Sequence, residues 1–255
     1  MSGNSGRLAI RYDRYRMNIR EILTGAGKGA AVTALLAYTF YRNLTVWLVM
    51  LIPGMIAGVY AERKRLLEKR LRLLSGQFKE SMMILAGSLS AGYSIENALY
   101  AGVEELGSLY GKDGLITAEF RYMTAQIRIN RPVEQVLEDF ANRSGIDDIR
   151  SFAEVFSVAK RSSGDLGSIM RHTAEIIRDK MQVKEEIRTM TAAKVYEQKI
   201  MNLIPFFIVF YVDRASPGFF GQMYGTVRGR GLMTLCMLLY GISYVLAKKI
   251  LEIEV

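Results

Sequence analysis

The sequence holds one cysteine, Cys236, and one histidine, His172, in 255 residues. A single cysteine excludes an intrachain disulfide and fits a reducing compartment. A single histidine excludes a histidine-based metal cluster and leaves no Cys–His nucleophile. Proline is scarce: there are four in the chain, and Pro132 is the only one between Gly76 and Lys194. Strand-type alternation of apolar and polar residues is missing. The interiors of the apolar stretches lack Asp, Glu, Arg and Lys, one of which a proton-coupled transporter normally carries.

What is present is segregated. Half the residues are hydrophobic while 23% are charged, and the two kinds occupy different parts of the chain. Four short apolar stretches lie at the two ends, two before residue 62 and two after residue 199. The net charge of +9 sits beside them. Residues 1–28 carry six Lys/Arg against Asp13 and Glu21, and residues 61–75 carry six against Glu62 and Glu68. The stretch from Gly76 to Lys194 holds 15 basic and 17 acidic side chains. A nucleic-acid binder would concentrate its surplus on a folded domain, so this pattern excludes nucleic acid as the partner and points to lipid.

The expected spans are Gly25–Tyr41, Leu44–Ala61, Ile200–Val212 and Gly231–Ala247. At ~1.5 Å per residue the longer ones reach roughly 25–27 Å, a little short of a ~30 Å hydrocarbon core. The third needs help from its flanks, with Lys199 snorkelling. The excess of basic residues on both sides of the first hairpin puts the N-terminus, the central region and the C-terminus in the cytoplasm. The loop 213–230 then lies outside, although Arg214, Arg228 and Arg230 oppose that assignment. No small-x-small site follows Tyr41 and a second span comes at once, so an anchor is expected instead of a cleaved leader.

Between Gly76 and Lys194 the apolar period is helical. Phe78, Met82, Leu85, Ala86 and Leu89 share one face. Ser94 is placed to cap a helix carrying Ile95, Leu99, Val103, Leu106 and Tyr110. Residues 113–130 form a less regular helix. Pro132 suits the start of another with Val136, Leu137 and Phe140. Asp147 or Asp148 opens one with Ile149, Phe152 and Phe156. A last, long helix runs from about Asp165 towards Lys194. The expected fold class is all-α: about four transmembrane helices and a six-helix cytoplasmic bundle. Its parts are a basic N-terminus (1–24), a transmembrane hairpin (25–61), a basic linker helix (62–75), the bundle (76–194), a second hairpin (195–247) and a tail (248–255).

Gly25-Ala-Gly-Lys-Gly-Ala30 fits a dinucleotide-binding pattern, but no strand precedes it and the membrane follows. Small residues easing the helix into the bilayer are the plainer account. A Walker A loop is absent, since Ile22 and Gly29 stand where it needs Gly and Ser/Thr, so any ATP energy comes from a partner. His172 reads as a solvated surface residue and Cys236 as membrane-facing packing. The acid pairs Glu104-Glu105, Asp147-Asp148 and Glu185-Glu186 diverge by about 100° on a helix and do not converge on a substrate. No catalytic residue, metal ligand or cofactor is expected.

The run FKESMMILAGSLSAGYSIENAL (78–99) resembles the opening helix pair of the type II secretion F domain. The later SGDLGSIMRHTAEIIRDKMQVKEEIR (163–188), with its Gly164-Asp165-Leu166 turn, is similar to that family's second signature. Leu203-Ile204-Pro205 and the terminal Ile-Glu-Val match its Tad-pilus branch. Together these cover about residues 70–255. Members of the secretion F and pilus C types carry two F domains in tandem; this chain has one, which makes it similar to the B or C component of the Tad branch. The resemblance implies a non-enzymatic inner-membrane platform that couples a cytoplasmic ATPase to pilin assembly and pairs, as an oligomer, with a second single-domain membrane protein. It marks Ala91, Gly92, Gly164, Asp165, Leu166 and Pro205 as structural signature positions facing partners. A membrane-tethered helical regulator of a soluble signalling protein shares this topology and stands as the alternative.

Overall fold

In the computed structural model, which describes residues 11, 12, 15, 17–161 and 166–252, the chain is helical and the described residues contain no strand. The helices are α1 (Ile19–Phe40), α2 (Leu44–Ser90), α3 (Ile95–Tyr110), α4 (Leu115–Arg128), α5 (Val133–Ser144), α6 (Asp147–Arg161), α7 (Leu166–Ala215), α8 (Gly221–Gly225) and α9 (Val227–Glu252). They form two compact units. The first comprises residues 1–16 and 64–181, the second residues 17–63 and 182–255.

The core of the first unit is built from one face each of the C-terminal half of α2, of α3 to α6 and of the start of α7. Phe78 is central. Its ring meets Phe140 and Phe152 edge-on, with centroids 6.2 and 5.7 Å apart. Ser94 caps α3 as the sequence suggests, accepting a hydrogen bond from the Asn97 amide at 3.3 Å. The chain then turns at Gly111–Gly114 and α4 packs back on α3. Thr117 donates to the Leu106 carbonyl at 3.1 Å, and Phe120 lies against Gly102, where an added Cβ would come within 3.0 Å of its ring. Pro132 stands one place before α5, as its N-cap, and not in its first turn. Gly145 ends α5 in the left-handed conformation (φ 66°) that glycine adopts without a Cβ penalty. In α6 it is Asp148 that is buried, with an ion pair of 2.5 Å to Lys180 on α7, while Asp147 is exposed.

Two boundaries differ from the sequence reading. The expected linker helix 62–75 has no ends of its own, because α2 continues through it for 47 residues. Leu66, Leu67, Leu71 and Leu74 let the second apolar stretch pass into the bundle pattern with no helix-breaking residue between. In the same way α7 continues for 50 residues through Pro205, joining the long bundle helix to the third apolar stretch.

In the second unit α1 begins at a capping box: Asn18 accepts from the Ile19 amide and Glu21 accepts from the Asn18 amide, both at 2.7 Å. α1 packs on the first part of α2 at contact distance between backbones. A Cβ on Gly29 would lie 2.1 Å from the Gly54 carbonyl oxygen, and one on Gly58 would lie 2.4 Å from that of Gly25. The pairs Gly25/Gly29 and Gly54/Gly58 are each spaced small-xxx-small, the arrangement that lets apolar helices approach closely. Two of the glycines that mimic a nucleotide loop, Gly25 and Gly29, are thus a packing surface. Gly54 and Gly58 are taken up by α1, so they do not face a further helix. At one end of this hairpin Lys28 bonds Glu62 at 2.8 Å; at the other Arg42 bonds Asp213 at 2.5 Å and the Tyr224 hydroxyl donates to the Thr39 carbonyl at 2.7 Å.

Among the described residues three helices, α2, α7 and α9, are long and apolar enough to cross a membrane. The remaining expected span coincides with α1, where Gly25, Gly27, Gly29 and Lys28 dilute the apolar content.

Candidate functional site

The most polar part of the bundle interior is a four-residue ionic cluster. Glu119 on α4 and Arg143 on α5 face one another almost without solvent, with side chains 2% and 9% exposed. Two guanidinium nitrogens reach the two carboxylate oxygens of Glu119, and Arg143 Nε donates to Asp139 Oδ2 at 2.8 Å. The same guanidinium stands 4.8 Å from the centre of the Tyr122 ring. Burial works against the charge on Arg143, but Glu119 and Asp139 more than offset it and raise its pKa above the ordinary value.

The fourth member comes from the N-terminal segment. Tyr12 is fully buried in the first unit. Its hydroxyl donates to Glu119 Oε2 at 3.0 Å, its amide donates to the Arg143 carbonyl at 3.0 Å, and its ring meets Phe140 edge-on at 6.5 Å. Arg70 of α2 stands 5.1 Å over the ring. Burial, then the charge and hydrogen bond of Glu119, push the phenol above its usual range. Sequence reasoning missed this cluster because it weighed adjacent acids. The usable signal was an acid on an apolar stripe (Ile116, Glu119, Phe120, Met123) beside a stripe ending in a base (Val136, Phe140, Arg143). Nothing in residues 1–24 marks Tyr12 as a core residue.

Chemically this cluster is satisfied: Glu119 is held by Arg143 and Tyr12, and Asp139 by Arg143. The larger depressions lie elsewhere in the unit. A groove of about 710 Å³ runs between α5 and α6, lined by Glu134, Glu138 and Glu154 together with Arg150 and Arg161. Glu134 is paired with Lys160 at 3.0 Å. Burial opposes the ionised form of Glu134, but its backbone hydrogen bond and Lys160 prevail and lower its pKa. A second depression of about 410 Å³, between α3 and α4, is lined by Tyr100, Arg121 and Arg128. These are charged, open surfaces.

The signature residues scatter. Ala91 and Gly92 form the exposed turn between α2 and α3, with Gly92 at φ 88°. Gly164 and Asp165 lie outside the described residues, as do the side chain of Leu166 and the terminal Ile-Glu-Val. Pro205 is exposed inside α7, in the second unit. His172 and Cys236 are exposed, and among the described residues no three His, Cys, Asp or Glu side chains come together as a metal site.

All-helical membrane proteins with open, charged grooves include assembly and scaffold components. The chain is a member of a family of that class: the type II secretion system (T2SS) protein F family matches residues 82–212, just over half of its length. Proteins of this family are non-catalytic membrane platforms of secretion and pilus machinery. No curated protein and no solved structure matches the chain.

Proposed function

We propose that this chain is the inner-membrane platform of a Tad-type pilus or a related secretion machine, coupling a cytoplasmic motor ATPase to the assembly of pilins. The observation that carries the reading is the continuity of α2 and α7. Each contributes an apolar membrane stretch and also buried residues of the bundle core, Leu74, Phe78, Met82 and Leu85 from α2 and Met170, Ala174 and Ile177 from α7. A push on the bundle is thereby transmitted along helices instead of through a loop. The grooves beside α5 and α4, the Ala91-Gly92 turn and the Gly164-Asp165-Leu166 connection offer the ATPase and a second single-domain membrane protein their docking surfaces. The membrane segments handle the apolar stalk of a pilin. In this reading the chain acts as a non-catalytic platform, as proteins of its family do.

Capture of the full chain from its native membrane in mild detergent is expected to bring down a hexameric ATPase and a second F-domain protein. Recovery of a soluble signalling protein in their place would favour the regulator and overturn the platform.

In this reading α1 is a fourth span, the bundle and both termini (residues 1–24 and 248–255) are cytoplasmic, and the connections 42–43 and 213–230 are external. The Arg42–Asp213 pair, which joins these two connections at one end of their unit, supports it. A reporter active only outside the cytoplasm is expected to work when fused after Asn43 and to fail when fused after Leu74. The reverse pattern refutes the topology.

A further inference from the structure

We propose that the second unit holds a binding site for one anionic phospholipid, with an acyl chain in a groove between α1, α7 and α9 and the phosphate at Lys199. The groove measures about 410 Å³, and its walls include Leu35 and Leu36 of α1, Leu203 and Phe206 of α7 and Tyr240 of α9. Its lining is mostly apolar. The Tyr240 hydroxyl donates to the Asn202 carbonyl at 3.1 Å, and the Tyr240 ring is fixed edge-on against Phe206 at 5.4 Å. At Gly241 an added Cβ would meet nothing within 4 Å, so the absence of a side chain there leaves the groove open.

Lys199 is the only charged residue of the lining. Its ammonium stands 5.0 Å over the Tyr196 ring, and among the described residues no carboxylate forms an ion pair with it. Tyr244 lies one turn beyond Tyr240 on α9, as Lys199 lies about one turn before Asn202 on the facing α7, so a phenol joins the ammonium at one end of the groove. An apolar slot closed at one end by a cation and a hydroxyl matches an acyl chain with a negatively charged head. A basic pocket between membrane helices recognises such lipids by this chemistry. A neutral helix in the groove gains nothing from the Lys199 charge, whereas an anionic headgroup pairs with it, which favours the lipid over a second copy of the chain or a pilin stalk as its occupant. The inference depends on the second unit lying in a membrane and not on the platform role, so the two fail separately.

The test uses the purified full chain, delipidated in detergent and titrated with phosphatidylglycerol or phosphatidylcholine under native mass spectrometry. Phosphatidylglycerol is expected to be retained preferentially. Lys199→Gln is expected to weaken it about fivefold, the equivalent of about 1 kcal/mol for one lysine at the headgroup, with phosphatidylcholine unaffected; Lys199→Arg restores the preference. Gly241→Leu, which fills the groove without touching Lys199, is expected to reduce both lipids, and unchanged helix content by circular dichroism shows that the variant has folded. Equal retention of the two lipids by the unmodified chain overturns the proposal. So does a preference that survives both Lys199→Gln and Gly241→Leu, or a cysteine crosslink between two copies at Leu35 that forms only when lipid is removed from the groove.

Discussion

Arg143→Ala is expected to lower the stability of the chain by about 3–5 kcal/mol, the cost of leaving a buried carboxylate without its partner. For a domain of this size that is roughly 6–20 °C in the midpoint of thermal unfolding. The size of the effect follows from where the pair stands. Glu119 is 2% exposed, so once the guanidinium is gone the buried carboxylate loses its ion-pair partner and keeps the Tyr12 hydroxyl. The exposed pair Lys64–Glu68 on α2 supplies the control: both side chains are more than half exposed and 3.8 Å apart. Lys64→Ala is expected to cost no more than about 0.5 kcal/mol. Replacing both buried charges, as in Glu119→Leu with Arg143→Leu, is expected to recover most of the loss, because an apolar pair leaves nothing unsatisfied.

Tyr12 adds a pH signature to the same cluster. The folded chain holds the phenol proton above the ordinary value of 10. Folded protein therefore binds a proton that unfolded chain has lost, and stability falls as pH rises from 10 towards the folded value. Below pH 10 the contribution is complete. Tyr12→Phe is expected to remove this alkaline slope while leaving the bundle folded. Circular dichroism melts of the full chain in detergent, taken between pH 8 and 11, read both effects. A melt of Arg143→Ala that matches the unmodified protein would show the cluster to be solvated and would refute its description as buried.

Much of the helix pattern was legible before the structure, and the reason is periodicity. The stripes Phe78-Met82-Leu85 and Ile149-Phe152-Phe156 are strong 3.6-residue patterns, and each is buried in the core. What could not be read is of two kinds. Helix continuity is one: the run from Leu44 to Ser90 changes from apolar to basic to amphipathic, yet each part favours helix, so composition shows three pieces where the backbone has one. Contact between distant segments is the other. Tyr12 finds Glu119 across 107 residues of sequence, and only the packed bundle brings them together. The acid and base of the cluster were visible as intruders on apolar stripes, whereas the tyrosine carried no local signal. The surface grooves were the least legible part, because a groove such as that between α5 and α6 arises from the packing of two helices and not from any motif.

The glycines of α1 give the sharpest contrast between neighbours. In an exposed helix interior, Gly→Ala gains roughly 0.5–1 kcal/mol from backbone entropy and helix propensity. Gly27 meets that condition, since an added Cβ there touches nothing within 4 Å. Gly27→Ala is therefore expected to stabilise the chain or leave it unchanged. Gly29, two residues on, faces α2. Its added Cβ would come 2.1 Å from the Gly54 carbonyl oxygen and 3.1 Å from the Met55 Cα, all backbone atoms with no rotamer to move. The two helices must separate, and the separation also opens the Gly58–Gly25 contact and loosens the Lys28–Glu62 bond beside it. Gly29→Ala is thus expected to cost about 1–3 kcal/mol as overpacking, with the opposite sign to its neighbour. Gly58→Ala, held against Gly25 and Gly29 from the other side, is expected to behave in the same way. Heat-induced unfolding of the three variants in detergent measures the signs directly, and the capture of partner proteins from membranes is expected to fail only for Gly29→Ala and Gly58→Ala. If Gly27→Ala and Gly29→Ala shift the midpoint in the same direction and by the same amount, α1 does not pack on α2 through this face.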